Sequence, residues 1–156
     1  MRAEIVAAAR GWVGTPYRHR AALRGVGCDC LGLLAGVWAE VTGTAPPALP
    51  NYRADWRDAS HASELQALAD AWLVPGPMAD PLVPGAVLLF RMGASALPRH
   101  CGIMVSDGRF VHAQERLGVV EGALGEGWRN GWRGCGGFRN LPHAPSCPGL
   151  DLGTHA

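Results

Sequence analysis

The sequence predicts an α+β fold, with N-terminal helices packed on an antiparallel sheet of about five strands. Three observations carry this. Apolar residues recur at three- and four-residue steps through the N-terminal part, as in Ile5, Val6, Ala9, Trp12 and Val13 and again in Leu34, Val37, Trp38 and Val41. From Pro81 onward the pattern changes to short runs divided by Gly, Pro and Asp-Gly. The length, 156 residues, suffices for one domain with a sizeable core and is short for two. Residues 1–140 read as that domain, and residues 141–156, rich in Pro and Gly, as a C-terminal tail.

Taken in order, a first helix ends at Gly14-Thr15-Pro16-Tyr17, and a loop from Arg18 to Gly27 leads to a second helix over residues 30 to 42, stopped by Gly43. Residues 43 to 58 hold Pro46, Pro47 and Pro50 together with Tyr52 and Trp56, which predicts an ordered loop able to wall a cleft. Ser60 or Ser63 caps a further amphipathic segment through Leu65, Leu68 and Trp72. Strands are expected at Ala86 to Arg91, His100 to Val105, Arg109 to Gln114, Leu117 to Glu121 and Gly131 to Arg139.

A formal net charge of +1 and a pI near 7.7 give no electrostatic case for nucleic acid or an anionic membrane surface. No apolar run approaches the roughly 20 residues that span a bilayer. The N-terminus, with Arg2 and Glu4 inside an amphipathic pattern, shows no signal peptide, so synthesis in the cytoplasm is expected. Five cysteines, an odd number with Cys28 and Cys30 one residue apart, argue against a disulfide framework and leave at least one thiol free.

Cys30 stands out because it falls in the first turn of the second helix. Unpaired backbone N–H groups and the positive helix end there favour thiolate over thiol. A nucleophile of this kind needs a base, and there are six histidines. His19, His61, His143 and His155 read as solvated side chains, whereas His100 and His112 flank an apparent hairpin turned by Ser106-Asp107-Gly108.

The register of that hairpin decides whether the two can cooperate. A two-residue Asp107-Gly108 loop pairs Ile103 with His112 and sends the histidines to opposite faces. A three-residue loop, with Gly108 left-handed, pairs Val105 with Arg109 and Gly102 with His112, so that the histidines become diagonal neighbours on one face. The three-residue loop is the expectation. With Cys30 facing the sheet this makes a Cys-His-His triad, in which His100 takes the thiol proton and His112 orients it.

Several motifs in order then resemble the NlpC/P60 family of cell-wall cysteine peptidases, which have a papain-like α+β fold. They are Gly14-Thr15-Pro16-Tyr17-Arg18, Asp29-Cys30-Leu31-Gly32-Leu33, Pro84-Gly85, His100-Cys101-Gly102-Ile103 and Val111-His112-Ala113, spread over residues 3 to 140. The resemblance implies Cys30 as nucleophile, His100 as base and His112 as third member, with Tyr17 and Asp29 as substrate-binding residues and no cofactor or metal. It implies hydrolysis of peptidoglycan stem peptides between D-glutamate, at its γ-carboxyl, and the diamino acid. The stretch from Tyr52 to Trp56 is most similar to enzymes of phage tails and gene transfer agents, which implies tail or baseplate partners and action on the cell wall during DNA delivery. Leu31 departs from the usual serine, which bears on recognition of a free L-Ala amine, and Ala86 replaces the usual aspartate after Pro-Gly.

Two other readings compete. Cys28, Cys30, His100, Cys101 and Cys135 offer zinc-type donors, but structural zinc sites space their cysteine pairs by two to four residues. A catalytically inactive structural adaptor of a tail assembly is the other, opposed by retention of all three triad positions. Cys28, Cys101 and Cys135 otherwise read as small buried hydrophobes.

Overall fold

The computed structural model describes residues 2–45, 73–76, 83–91 and 99–138. The loop with Tyr52 and Trp56, the amphipathic segment ending at Trp72 and the C-terminal tail lie outside these residues. Helix α1 spans Arg2–Gly11, stopping short of the expected end at Gly14, and α2 spans Cys30–Thr42, the bounds expected from periodicity. Gly43 ends α2 in a left-handed conformation, φ 67°, with its N–H bonded to the Ala39 carbonyl. The two helices cross closely because α2 carries Gly36 against the Trp12 ring; a Cβ there would run into the indole. The indole Nε1 donates to Glu40 Oε1 at 2.9 Å, which satisfies the polar end of an otherwise buried side chain.

The connection between the helices holds a two-stranded ribbon, β1 (Ala22–Leu23) and β2 (Gly27–Cys28), where a plain loop was expected. Six further strands form one antiparallel sheet: β3 (Leu73–Gly76), β4 (Val87–Phe90), β5 (His100–Ser106), β6 (Arg109–Gln114), β7 (Gly118–Ala123) and β8 (Trp132–Phe138). Their order is β3-β8-β4-β5-β6-β7. The sheet therefore has six strands rather than five. β3 was missed because Leu-Val-Pro-Gly has no alternation, and it forms by pairing with β8 some sixty residues away. A short helix, α3 (Glu126–Gly131), lies between β7 and β8, where no element was expected.

Side chains alternate across this sheet into two separate cores. One face, with Val87, Leu89, Cys101, Ile103, Val105, Val111 and Ala113, packs under α1 and α2 against Ile5, Leu33 and Val37. The other holds Ala86, Leu88, Phe90, Met104, Phe110 and Leu124, with Val83 and Trp128 at its margin. No helix among the described residues is long and apolar enough to cross a membrane.

The hairpin of β5 and β6 corrects one expectation and supports its purpose. Ser106 pairs with Arg109 across a two-residue Asp107-Gly108 turn, so Val105 does not pair with Arg109. The ladder then shifts between Met104 and Ser106, and resumes with Met104 opposite Phe110 and Ile103 opposite Val111. The extra residue sits inside β5, as a bulge at Val105, instead of in the turn. Continuing the ladder places Gly102 against His112, as expected. The absence of a side chain matters at Gly102, because a Cβ would meet Phe110 Cδ2 at 2.8 Å and the Val111 carbonyl at 2.9 Å. Gly108 is left-handed, φ 67°.

Candidate active site

Asp29 begins α2. Its extended backbone (φ −103°, ψ −173°) and its Oδ1, which accepts from Gly32 N at 2.8 Å, make it the N-cap. Oδ2 accepts from Arg20 N at 2.7 Å, and His19 Nδ1 lies 3.8 Å from it. Both carboxylate oxygens thus hold backbone in place. Arg20 is the non-glycine residue with positive φ, 61°, among the described residues, and the bond to Asp29 fixes that strained conformation. The ribbon lies directly on the helix start, since a Cβ at Gly32 would overlap the Ala21 carbonyl.

Tyr17 is half-buried and bridges to Cys28 in parallel register, while Cys28 N bonds Pro16 O and Arg18 N bonds Cys28 O, each at 3.0 Å. The strand-like segment from Pro16 to Arg18 is therefore stitched beside the helix start. Gly14 N to Val119 O and Val119 N to Thr15 O, both 2.9 Å, tie it in turn to β7.

Cys30 is the first residue of α2 and is 4% exposed. Its carbonyl accepts a bond from the Cys101 thiol at 3.4 Å. The first residue of α2 therefore touches the second residue of β5, next to His100. Burial pushes the Cys28 thiol up to about 12, with the charges of Asp29 and Cys30 adding to it. Burial raises Cys101 as well, followed by its hydrogen bond and charge interaction with Cys30 and by the Asp29 charge. Cys28 and Cys101 stay as thiols at neutral pH, in keeping with their reading as small buried hydrophobes.

The histidines meet as expected. His100 Nε2 and His112 Nδ1 are 2.9 Å apart, with the rings at 75° to each other. His112 is 1% exposed and stacks on Phe110 with centroids 4.2 Å apart. Trp128, from α3, stands edge-on to His112 at 4.9 Å and lies over His100 at 5.3 Å. The Phe90 ring closes the far side, 6.1 Å from His100. Burial pushes His100 down to about 3 from an ordinary 6.5, with a smaller contribution from the charge of His112. Burial alone pushes His112 to about 4. Both rings are neutral at pH 7, and since His100 Nε2 is engaged by His112, Nδ1 is the nitrogen left to accept a proton.

The second nitrogen of His112 is also occupied, with Gln114 Nε2 3.0 Å from His112 Nε2. Neither Gln114 nor Trp128 was singled out from the sequence. Gln114 lies two residues beyond His112 on the same strand face, a signal that was present. Trp128 sits in a six-residue helix with glycine at two positions, too short to show a period. Of the zinc-type donors, Cys135 lies on β8 and nothing is described of its side chain. Among the described residues no group of three His, Cys, Asp or Glu side chains forms a metal-holding cluster.

No family model matches the chain. In sequence it is similar to a probable endopeptidase NlpC of Escherichia coli (strain K12), with 25% identity over 115 residues, 74% of this chain and 63% of that protein. The chain thus spans less than two-thirds of the length of that relative. In structure it is similar to the NlpC/p60 domain of the peptidoglycan hydrolase SagA, with TM-score 0.59, 20% identity, and coverage of 87% of this chain and 97% of the other. It is also similar to an NlpC/P60 family protein from Bacillus cereus ATCC 10987, with TM-score 0.60, 20% identity, and coverage of 91% and 41%. The helix-borne cysteine, the sheet with its paired histidines and these likenesses together define an α+β chain with the NlpC/P60 fold.

Proposed function

We propose that this protein is a cysteine peptidase acting on peptidoglycan stem peptides. The observation that carries the reading is the buried His100–His112 bond beside the helix that begins with Cys30. An aromatic enclosure around two linked, neutral imidazoles costs desolvation that simple packing would avoid, and such perturbed groups mark functional sites. The fold and the likeness to a probable endopeptidase support the same conclusion.

In the proposed reaction His100 Nδ1 takes the Cys30 thiol proton as the sulfur attacks the scissile carbonyl. The Cys30 backbone N–H, at the positive end of α2, steadies the oxyanion. His100 then protonates the leaving amine, which departs and leaves a thioester. Water, losing a proton to His100, attacks the thioester, and His100 returns that proton to the departing Cys30 sulfur, which releases the acid and regenerates the thiol. His112 holds the His100 ring through Nε2 in each step. Tyr17 and Asp29 are the proposed substrate-side residues, with Asp29 acting while it caps α2.

The bond assigned is the one between the γ-carboxyl of D-glutamate and the diamino acid, and the setting assigned is a tail or baseplate that opens the wall during DNA delivery. The motifs around Cys30 and His100 support the first, and the Tyr52 to Trp56 stretch supports the second. Digestion of peptidoglycan and of defined stem peptides, with free and blocked N-termini, by wild type and Cys30→Ala, read by mass spectrometry, tests the activity. Cleavage by wild type alone is expected; no cleavage, with Cys30 inert to iodoacetamide, leaves the adaptor reading. Co-sedimentation of the protein with tailed particles tests the setting.

A further inference from the structure

Both ring nitrogens of His112 are hydrogen-bonded, one to His100 and one to Gln114, and a neutral imidazole carries only one proton. The three side chains therefore share a single direction of proton donation. In one sense the Gln114 amide N–H donates to His112 Nε2, His112 Nδ1–H donates to His100 Nε2, and His100 holds its own proton on Nδ1. In the other, His112 Nε2–H donates to Gln114 Oε1, His100 Nε2–H donates to His112 Nδ1, and His100 Nδ1 carries a free lone pair. Only the second sense leaves a base.

The structure has the amide nitrogen 3.0 Å from His112. A half-turn of the amide brings Oε1 to that point, since the two groups are nearly equal in size. Gln114 faces Gly118 across the β6–β7 ladder, so on that side no opposing side chain hinders the turn. We propose that Gln114 is a positioning residue whose Oε1 accepts from His112 and so fixes the tautomer of both imidazoles, leaving His100 Nδ1 unprotonated. The inference rests on the cysteine-peptidase reading for its purpose, but its chemistry is independent of substrate. Burial keeps both rings neutral at pH 7, which is the condition under which the tautomer matters.

The test is nitrogen NMR of the protein labelled in histidine, combined with stem-peptide kinetics, for wild type and Gln114→Glu, Gln114→Met and Gln114→Lys. In wild type both His100 and His112 are expected to carry the proton on Nε2. Lysine, a donor only, inverts both tautomers and lowers kcat about 100-fold with KM little moved. Methionine, with no donor and only a weakly accepting thioether, mixes the tautomers and lowers kcat about tenfold; glutamate, an acceptor, restores both readouts. Protons on Nδ1 in wild type, or unchanged tautomers in both Gln114→Met and Gln114→Lys, overturn the proposal. Melting curves identify a variant that fails to fold, and the Gln114→Glu and Gln114→Lys pair then decides by itself. Expected tautomers in a wild type that cleaves no stem peptide would count against the peptidase reading and leave the assignment of Gln114 standing.

Discussion

The two faces of the sheet differ in what they ask of their residues. The face under α1 and α2 is aliphatic, built from Ile103, Val105, Val111, Leu33 and Val37, and any well-packed set of similar volume would serve. The opposite face sets two imidazoles among Phe90, Phe110 and Trp128, where burial carries a desolvation cost and each polar atom needs a partner. Cys30 belongs to the first cluster and His100 lies on the second face, and they are linked through Cys101, which follows His100 in β5 and bonds the Cys30 carbonyl. Stability is gathered on one side and chemical precision on the other.

Substitutions should separate the two faces. His100→Ala is expected to lower kcat/KM on stem peptides by about 1,000-fold or more while the protein remains folded. Ile103→Ala, fully buried under the helices, is expected to cost about 2 to 5 kcal/mol in denaturant unfolding, with kcat changed little at temperatures where the variant is folded. A comparable loss of kcat in Ile103→Ala would break the comparison.

Acid should act through the aromatic face. The folded histidines stay neutral down to about 3 and about 4, whereas unfolded imidazole binds a proton near its ordinary 6.5. The unfolded state then binds more protons below that value, so stability is full above it and falls as pH drops through the window. Each histidine is expected to contribute a slope of up to about 1.4 kcal/mol per pH unit. Denaturant unfolding between pH 7 and pH 5, above the range where carboxylates titrate, measures it, and His112→Gln should flatten the curve. A flat wild-type profile would show that the pair is not kept neutral.

Smaller effects belong to the start of α2. Asp29→Ala removes the cap and the partner of Arg20 N together, for an expected cost of about 1 to 2 kcal/mol by thermal unfolding. Arg20→Gly relieves the left-handed strain at the cost of a more flexible unfolded chain, and should stabilise by less than about 1 kcal/mol. Destabilisation there would give the exposed arginine a packing role.

What could be read in advance follows the same division. The α2 bounds, its stop at Gly43 and the shared face of the histidines were legible because they depend on local period and on strand parity. The position of the extra residue was not, since Val105 bulges where Met104 must come opposite Phe110, a choice made by cross-strand packing. β3 and α3 escaped because one is held by a distant partner and the other lacks a period. Gln114 was within reach through the strand parity of β6, whereas Trp128 becomes visible only once His112 has a neighbourhood.

The bulge at Val105 also works as a counting device. His100 and His112 are separated by an even step of 12, and across a two-residue turn only odd separations share a face. One surplus residue must be absorbed for the pair to meet, and this hairpin absorbs it in β5. Deleting Val105 leaves a regular ladder with the same pairing and the histidines still together. A single residue inserted between Gly102 and Met104, with the bulge at Val105 kept, reverses the parity and parts them, although every side chain of the site is still present. Length, as much as identity, is under constraint between these two positions, whereas the turn from β6 to β7 lies outside that interval.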